Sequence, residues 1–582
     1  MTANQLLTRR RLRVCLVLVV VIFSLFGARL FQIQGLDASA YAAKAVASGT
    51  QKKVDPAPRG AILDRNGEEL ATSVDGLTLI ADPKMTVENA PQIARVLREK
   101  LGDKIDYFDT IDKLRTPKSR YVQLIRDLPK WTADKALAAL DKARLPGVFT
   151  EKETLRTYPG GRLAANLLGY TNAAGEGVAG IEQQYDKILT GTDGSSTYEV
   201  SPTGQRIPMA DSTVKEMVPG RDVQTTIDRD LQWYADQRLA DAVQESSADW
   251  GLAVTMDVKT CQIVQMSQAP TFDADTRTGM TDDRTVSRGV QHVYEPGSVM
   301  KTVTMAALAD QGKIAADTPI VVPPKMTIDR FPIGDYWQHG TLRLTAAGVI
   351  AKSSNLGTIV AAQQMSNTTM HAYLSKFGFG QKTGVSLPGE SKGILTDGSG
   401  WTKANHATIS FGQGISVTAM QMMRAVGAIA NAGKMCEPSV VTSTIDEEGN
   451  KVPVSTGATK RIVSKDAASA VTRMMEAVTA PDGTAPAAAI KGYRVAGKTG
   501  TAWRVDPTTG RYIRGQNTVS FMGFAPADNP RFLTYIVLDK PVSSAGGGST
   551  AAPVFHDVMS MALERFGVAP SGSKSPKVAQ DW

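Results

Sequence analysis

An uncharged apolar run near the N-terminus is the feature that most limits how this 582-residue chain can fold. The run from Val14 to Ala28 carries no charge, and Arg13 and Arg29 flank it. A helix of about 20 apolar residues can cross a bilayer, and arginines at its ends can extend to the interface. The run therefore predicts a transmembrane anchor at residues 12–30, with the rest of the chain folded in water.

Charge at the start of the chain predicts the orientation of this anchor. No acidic residue precedes Asp37, and four arginines stand before the apolar run, namely Arg9, Arg10, Arg11 and Arg13. Positive charge is retained on the cytoplasmic side, so residues 1–11 are expected to form a cytoplasmic tail and the remainder to be exported. A cleaved signal peptide is the alternative, but its small-residue site Ala40-Tyr41-Ala42 lies too far beyond the run.

The composition argues against several classes of function. The net charge is +8, and four N-terminal arginines supply half of it, so nucleic-acid binding gains little support. The five histidines stand at no metal-ligand spacing, and neither a metal nor another cofactor is expected. Cys15, Cys261 and Cys436 are too few for a disulfide scaffold, and the sequence leaves open whether the last two pair.

A region of short elements and a polar tail stand on either side of a larger domain. Residues 31–218 mix helical and strand-like patterns, with helices predicted at 90–101 and 133–145. In the first of these, one face is lined by Ile93, Val96, Leu97 and Leu101. The tail at 567–582 is rich in Ser, Pro and Lys, a composition that predicts disorder.

The larger domain is expected to span residues 219–566. It starts at Pro219-Gly220, before a helix that Thr226 or Asp228 would cap. Residues 251–268 predict a hairpin whose first strand alternates apolar and small side chains. Further strands are predicted near the other end, at 493–503, 517–526 and 531–541. Strands at both ends with helices between them predict an α+β domain with an antiparallel sheet.

The stretch YEPGSVMKTV contains a Ser-x-x-Lys pattern that suits nucleophilic catalysis. Ser298 precedes an apolar helix predicted at 299–308, and Lys301 lies on the same face of that helix. N–H groups at a helix start favour negative charge, and a lysine acts as a base when burial or nearby positive charge lowers its pKa. The same spacing recurs at Ser212–Lys215 and Ser571–Lys574, so spacing alone decides nothing.

A second pattern is the only Ser-x-Asn of the chain, at Ser353-Ser354-Asn355. The Ser353 hydroxyl could relay a proton, and the Asn355 amide could hold the lysine or a substrate amide. Because Ser and Asn also favour helix N-termini and LGTIVAAQQM follows, a plain helix cap is the other interpretation.

A third pattern, Lys-Thr-Gly, occurs twice, at 382–384 and at 498–500. The first copy lies among glycines and is typical of a surface loop. The second enters a strand in which Gly500 allows another backbone to approach, as in peptide binding at a sheet edge. Lys498 would then attract a carboxylate and lower the pKa of Lys301. The backbone N–H groups of Thr501 and Ser298 would form an oxyanion hole.

Taken in order, these motifs resemble the active-site motifs of penicillin-binding proteins and serine β-lactamases. Other stretches look like signature boxes of the pedestal in class B penicillin-binding proteins, namely RGAILDRNGEELATS, RTYPGGRLAANLLGY and GVAGIEQQYDKILTG. FGFGQKTGVSLPGE and FGQGISVTAMQM are similar to the transpeptidase domain of that class. The likeness covers residues 12 to about 565, nearly the whole chain.

The resemblance implies a penicillin-binding fold, in which an α+β transpeptidase domain follows an elongated pedestal and one transmembrane helix. It also implies a division-type (FtsI-type) D,D-transpeptidase that cross-links peptidoglycan stem peptides outside the membrane. Ser298 is then the nucleophile and Lys301 the base, with Ser353 and Asn355 moving the proton and orienting substrate. The terminal carboxylate is expected to bind at Lys498, Thr499, Gly500 and Thr501.

Partners and rivals also follow from the resemblance. The expected partners are peptidoglycan stem peptides, β-lactam antibiotics, a SEDS-type glycosyltransferase and divisome membrane proteins, with localisation at the division septum. The main rival is the elongation-type transpeptidase of the same class. A β-lactam sensor, a catalytically weak scaffold, and a β-lactamase or carboxypeptidase that uses water as acceptor are the alternatives from other classes.

Overall fold

The computed structural model describes residues 3–37, 50–199, 212–506, 508–509, 511–542 and 546–582. They fall into two compact units, bounded as Met1–Ala57 with Gly191–Pro219 and Pro58–Thr190 with Gly220–Trp582. The strands, in chain order, are β1 (Thr50–Asp55), β2 (Ile62–Leu63), β3 (Glu69–Ala81), β4 (Val122–Pro129), β5 (Val148–Thr157), β6 (Gly194–Glu199), β7 (Ser212–Lys215), β8 (Asp222–Thr225), β9 (Trp250–Asp257), β10 (Ile263–Ala269), β11 (Pro319–Val322), β12 (Met326–Ile328), β13 (Phe331–Ile333), β14 (Leu342–Thr345), β15 (Lys434–Met435), β16 (Val441–Ile445), β17 (Lys451–Pro453), β18 (Lys460–Arg461), β19 (Ala496–Val505), β20 (Tyr512–Ala525) and β21 (Phe532–Asp539).

The α-helices, in the same order, are α1 (Ala3–Phe31), α2 (Pro83–Thr86), α3 (Ala90–Leu101), α4 (Tyr107–Leu114), α5 (Lys130–Lys142), α6 (Ala165–Leu168), α7 (Gly180–Gln184), α8 (Asp186–Leu189), α9 (Arg229–Ser246), α10 (Asp282–Thr285), α11 (Arg288–Gln291), α12 (Met300–Asp310), α13 (Ala346–Ala351), α14 (Asn355–Ala362), α15 (Asn367–Lys376), α16 (Lys403–Ser410), α17 (Ala419–Ala430), α18 (Lys465–Glu476) and α19 (Gly547–Arg565). Short 3-10 turns join some of them, and the turn at Gly297–Val299 directly precedes α12.

The first unit contains α1 and a three-stranded antiparallel sheet with strand order β1-β6-β7. Helix α1 extends beyond the predicted anchor at both ends, and Arg10–Leu36 is long and apolar enough to cross a membrane. The alternative cleavage site Ala40-Tyr41-Ala42 lies outside the described residues. Ser212–Lys215, one of the recurring Ser-x-x-Lys pairs, forms the exposed strand β7 and no helix.

The N-terminal part of the second unit has its own apolar core beside strands β3 and β4. Helix α3 matches the prediction for 90–101, and Ile93 and Leu97 are fully buried in this core. Helix α5 spans Lys130–Lys142 and not the predicted 133–145. It ends early because Arg144 adopts a left-handed backbone with φ of 55°, which a continuing helix excludes.

The C-terminal part of the second unit is built on a five-stranded antiparallel sheet with strand order β10-β9-β21-β20-β19. This confirms the predicted antiparallel sheet, with its hairpin and its three later strands. Although apolar residues alternate along β9, every residue of that strand is buried. At Gly251 the strand faces Leu239 of α9, whereas Met256 contacts Gly427 of α17, so helices cover both faces.

The prediction that residues 567–582 are disordered is corrected by the structure. Ser571 Oγ donates to Asp528 Oδ1 at 2.8 Å, and Thr345 N donates to the Gln580 carbonyl at 2.9 Å. The indole of Trp582 donates to the Leu344 carbonyl at 3.1 Å. The segment has little regular structure of its own, but its backbone and final ring find partners on the folded domain, which its composition could not indicate.

Cys261 and Cys436, whose pairing the sequence left open, form a disulfide with Cα atoms 6.1 Å apart. The bond joins the turn after β9 to the segment after β15, and 175 positions separate the two residues along the chain. Crosslinks over long loops restrict the unfolded chain, so this bond stabilises the C-terminal part of the second unit.

Candidate active site

The nucleophile turn consists of Gly297, Ser298 and Val299, a 3-10 turn that leads into α12. The helix therefore begins one residue later than predicted, and Ser298 is half-buried at its start. Gly297 has φ of 55°, and a Cβ there would lie 2.7 Å from the carbonyl oxygen of Thr501. Glycine at this position lets the turn lie directly against strand β19.

Lys301 is the second residue of α12, three positions after Ser298, and its side chain is fully buried. Its Nζ donates to the carbonyl oxygen of Ser353 at 2.6 Å and approaches Ser353 Oγ at 3.4 Å. Burial lowers the pKa of Lys301 to about 7, although the negative charge of Asp335 opposes this shift. The amine is therefore close to the protonation state that a general base requires at neutral pH.

The Ser353-Ser354-Asn355 motif lies at the junction of α13 and α14. Ser354 is the N-cap of α14, and its Oγ accepts from Gly357 N at 2.9 Å, so the capping interpretation holds for this residue. Ser353 has left-handed φ of 57°, and its Oγ accepts from the amine on β19 described next. Asn355 Nδ2 donates to the Gly334 carbonyl at 3.2 Å.

Lys498 lies on β19, and its side chain is also fully buried. Its Nζ donates to Ser353 Oγ at 2.8 Å, to the Thr499 carbonyl at 3.1 Å and to Thr499 Oγ1 at 3.2 Å. The Ser353 hydroxyl is thus shared by two lysine amines from different elements. Burial lowers the pKa of Lys498 well below its usual value, and the nearby charge of Lys301 lowers it further.

Strand β19 forms one edge of the five-stranded sheet and pairs with β20 on its inner side. Gly500 lies against the nucleophile turn, since a Cβ there would be 3.0 Å from Val299 Cγ2 and 3.2 Å from the Pro296 carbonyl. Thr501 follows with an exposed side chain. An extended peptide can add to such an edge through backbone hydrogen bonds.

The other copies of the motifs do not join this cluster. Thr383, in the first Lys-Thr-Gly, donates through its N–H and its Oγ1 to Glu390. Ser571 binds Asp528, and Ser212 lies on an exposed strand of the first unit. The structure therefore brings Lys301, Ser353 and Lys498 together, and it places the turn that contains Ser298 against strand β19.

Two acidic residues near these motifs were not predicted from the sequence. Asp335 accepts from Ser354 Oγ at 2.6 Å and from the backbone N–H of Asn355. Glu295, three positions before Ser298, accepts from Gly414 N at 2.7 Å and from the hydroxyl of Tyr512. A lone acid in a loop carries no spacing signal, although the position of Glu295 inside YEPGSVMKTV offered a weak one.

Comparison with known proteins identifies the family. The penicillin binding protein transpeptidase domain matches residues 251–560, and the penicillin-binding protein dimerisation domain matches residues 54–225. Penicillin-binding protein PbpB of Mycobacterium tuberculosis is 34% identical over 584 residues, which cover 96% of this chain and 85% of the relative. The chain is a class B penicillin-binding protein.

Further relatives agree with this assignment. Peptidoglycan D,D-transpeptidase FtsI of Escherichia coli is 32% identical over 518 residues, which cover 88% of this penicillin-binding protein and 84% of FtsI. The crystal structure of penicillin binding protein 3 from Mycobacterium tuberculosis, complexed with ampicillin, has a TM-score of 0.71 and 30% identity. That match covers 91% of this chain and 100% of the solved one. Helix α1 fits a single-pass membrane anchor.

Proposed function

We propose that this class B penicillin-binding protein is a membrane-anchored serine D,D-transpeptidase that cross-links peptidoglycan stem peptides during septal wall synthesis. The observation that carries the proposal is the convergence of two buried amines, Lys301 and Lys498, on the hydroxyl of Ser353. A buried lysine without a carboxylate in contact gives up its proton readily, which is what a serine nucleophile needs from its base.

In the proposed acylation, neutral Lys301 takes the proton of Ser298 as Oγ attacks the penultimate D-Ala carbonyl of a donor stem peptide. The tetrahedral intermediate collapses when the bond to the terminal D-Ala breaks. The leaving nitrogen takes a proton that reaches it from Lys301 through the Ser353 hydroxyl, so free D-Ala departs and the acyl group stays on Ser298. Asn355 orients the substrate amide in this scheme.

Lys498, Thr499 and Thr501 are assigned to the terminal carboxylate of the donor. A carboxylate arriving at β19 raises the pKa of Lys498, because an opposite charge favours the protonated amine. The pair would then hold one proton, on Lys498, and leave Lys301 neutral as the base. The N–H groups of Ser298 and Thr501 remain our assignment for the oxyanion hole.

Deacylation completes the proposed reaction. The amine of an acceptor stem attacks the acyl carbonyl, the bond to Ser298 Oγ breaks, and the serine regains a proton that the amine has lost. β-Lactams mimic the D-Ala-D-Ala end and would acylate the same oxygen. The similar penicillin binding protein 3 of Mycobacterium tuberculosis forms a complex with ampicillin, which supports this proposal.

We place the catalytic domain outside the cytoplasmic membrane, with residues 1–11 in the cytoplasm. The arginines before the anchor support this orientation, and so does the Cys261–Cys436 disulfide, since such bonds persist in oxidising compartments. The proposed septal role, with a SEDS-type glycosyltransferase and divisome membrane proteins as partners, is supported by the similarity to FtsI. The proposed pedestal and transpeptidase domains are 31–218 and 219–566.

The test is the formation of cross-linked stem peptides in cells that depend on this protein, read by mass spectrometry of the digested wall. Ser298→Ala should abolish the cross-links that depend on this chain, whereas the matched control Ser212→Ala should leave them unchanged. Persistence of the cross-links in Ser298→Ala would contradict the proposal, and hydrolysed stems without cross-links would indicate a carboxypeptidase.

Filamentation of cells on depletion of this protein would support the division role, and rounded cells would support the elongation rival.

A further inference from the structure

Asp335 is a buried carboxylate in the segment between β13 and β14. Its side chain has no exposed surface and accepts from Ser354 Oγ at 2.6 Å. It also accepts from the backbone N–H groups of Asn355 and of Leu356, the latter at 3.1 Å. Three donors of the Ser-x-Asn motif and the first turn of α14 therefore point at one carboxylate that lies about 20 positions earlier in the chain.

His339 also contacts this carboxylate, at the oxygen that accepts from Ser354. Its Nε2 lies 3.1 Å from Asp335 Oδ2, and its Nδ1 lies 2.6 Å from the Gly340 carbonyl. The imidazole is buried and packs against Trp337, with ring centroids 5.2 Å apart. Both carboxylate oxygens of Asp335 therefore have partners, Oδ1 at the backbone of α14 and Oδ2 at Ser354 and His339.

The titratable groups around this carboxylate are two lysines of the proposed reaction and one imidazole. Lys301 faces it from α12, and its amine is also the donor to Ser353. His339 faces it from its own loop, and Lys498 lies beyond Ser353 on β19. The negative charge of Asp335 favours the protonated form of Lys301 and so raises its pKa. The carboxylate therefore acts on the proposed base itself.

A simple helix cap does not account for this arrangement. Ser354 already caps α14 through its own hydroxyl, which accepts from Gly357 N. Asp335 adds a second acceptor from a separate segment and binds the N–H groups that Ser354 leaves over. Burying a carboxylate is unfavourable unless hydrogen bonds and charge compensate it, and here the compensating groups are those of the Ser-x-Asn motif and the catalytic lysine.

We propose that Asp335, held by His339, is a positioning residue that fixes the Ser353–Asn355 motif and supplies the negative charge facing the Lys301 amine. The inference rests on the proposed acyl-transfer chemistry. A positioning role, unlike a purely structural one, affects two measurable quantities. These are the limiting rate of acylation and the pH of the acidic limb, below which acylation slows.

The test measures acylation of the full chain in detergent by a fluorescent penicillin, from acid to alkaline pH. Asp335→Asn should lower the limiting acylation rate by about tenfold or more, since small displacements of catalytic groups are costly. The same variant should move the acidic limb of the profile to lower pH by about half a unit or more, because a negative charge that favoured protonated Lys301 is gone.

Asp329→Asn is the matched control. Asp329 lies in the same region, between β12 and β13, and accepts from Ala404 N at the start of α16, a helix without a catalytic motif. The same chemical change there should leave the rate and the limb unchanged. Thermal unfolding of both variants establishes whether a slower Asp335→Asn protein is still folded at the assay temperature.

The outcomes separate this inference from the proposed function. A native protein that is not acylated at Ser298 at any pH would overturn the proposed function. Normal acylation with an acidic limb that Asp335→Asn leaves in place would overturn only the role of Asp335. A limb that disappears in His339→Gln but not in Asp335→Asn would assign the titration to the imidazole and would equally overturn it.

Discussion

The hydroxyl of Ser353 receives hydrogen bonds from two lysines that come from different elements of the fold. Two ammonium groups that share one hydroxyl in a buried site cannot both stay charged without a large penalty, so the pKa of each amine is lowered. Lys301 lies beside the nucleophile turn, and Lys498 lies on the edge strand β19. The proposed division of roles, with Lys301 as the base and Lys498 as the carboxylate site, follows from these two positions.

The pKa of Lys301 gives a prediction at the scale of a single residue. Because burial lowers this pKa to about 7, the amine is neutral above that value and protonated below it. Acylation by a fluorescent penicillin should therefore rise with pH through about 7 and level off at higher pH. An acidic limb near the ordinary pKa of an exposed lysine, about 10, would contradict a buried base.

At the scale of elements, the sequence could predict what rests on local pattern. The strands β19, β20 and β21 could be predicted from their local sequence patterns. The helix cap at Asp228, whose side chain accepts from Leu231 N, could also be predicted. The contact between Asp335 and the Ser-x-Asn motif could not be predicted, because the partners of Asp335 lie about 20 positions away and no local pattern marks this acid. Burial on both faces of β9 likewise depends on helices elsewhere in the chain.

The approach of β19 to the nucleophile turn gives a prediction for this element. Gly500→Ala places a methyl group 2.2 Å from Ser520 Oγ and 3.0 Å from Val299 Cγ2 of the turn, so the strand or the turn must move. The variant should lose about tenfold or more in acylation rate, since the reacting groups are displaced. Gly400→Ala, where a Cβ meets nothing within 4 Å, is the control and should acylate normally. Equal rates for the two variants would contradict this close approach.

At the scale of the whole molecule, the C-terminal segment joins two parts of the catalytic domain. Near its start, Ser571 Oγ accepts from Arg494 N, just before β19, and donates to Asp528. Near its end, the Gln580 carbonyl accepts from Thr345 N, the N-cap of the helix that precedes the Ser-x-Asn motif. One segment therefore contacts the regions that lead into both of the later motifs.

Removal of residues 575–582 should lower the free energy of unfolding by about 2 kcal/mol, since several backbone and indole hydrogen bonds are lost at about 1 kcal/mol or less each. Thermal unfolding of the full-length and shortened proteins measures the effect. Lys574→Gln, which changes an exposed tail side chain and keeps the backbone, should leave the midpoint unchanged. An unchanged midpoint after the deletion would contradict these contacts and support the disorder that the composition predicted.

The measurement that tests the central claim most directly is the mass of the intact protein after exposure to a β-lactam, followed by mapping of the modified peptide. We predict one covalent adduct on the native chain, carried by the peptide that contains Ser298, and no adduct on Ser298→Ala. An adduct that persists in Ser298→Ala, or that maps to Ser212, Ser353 or Ser571, would contradict the assignment of the nucleophile.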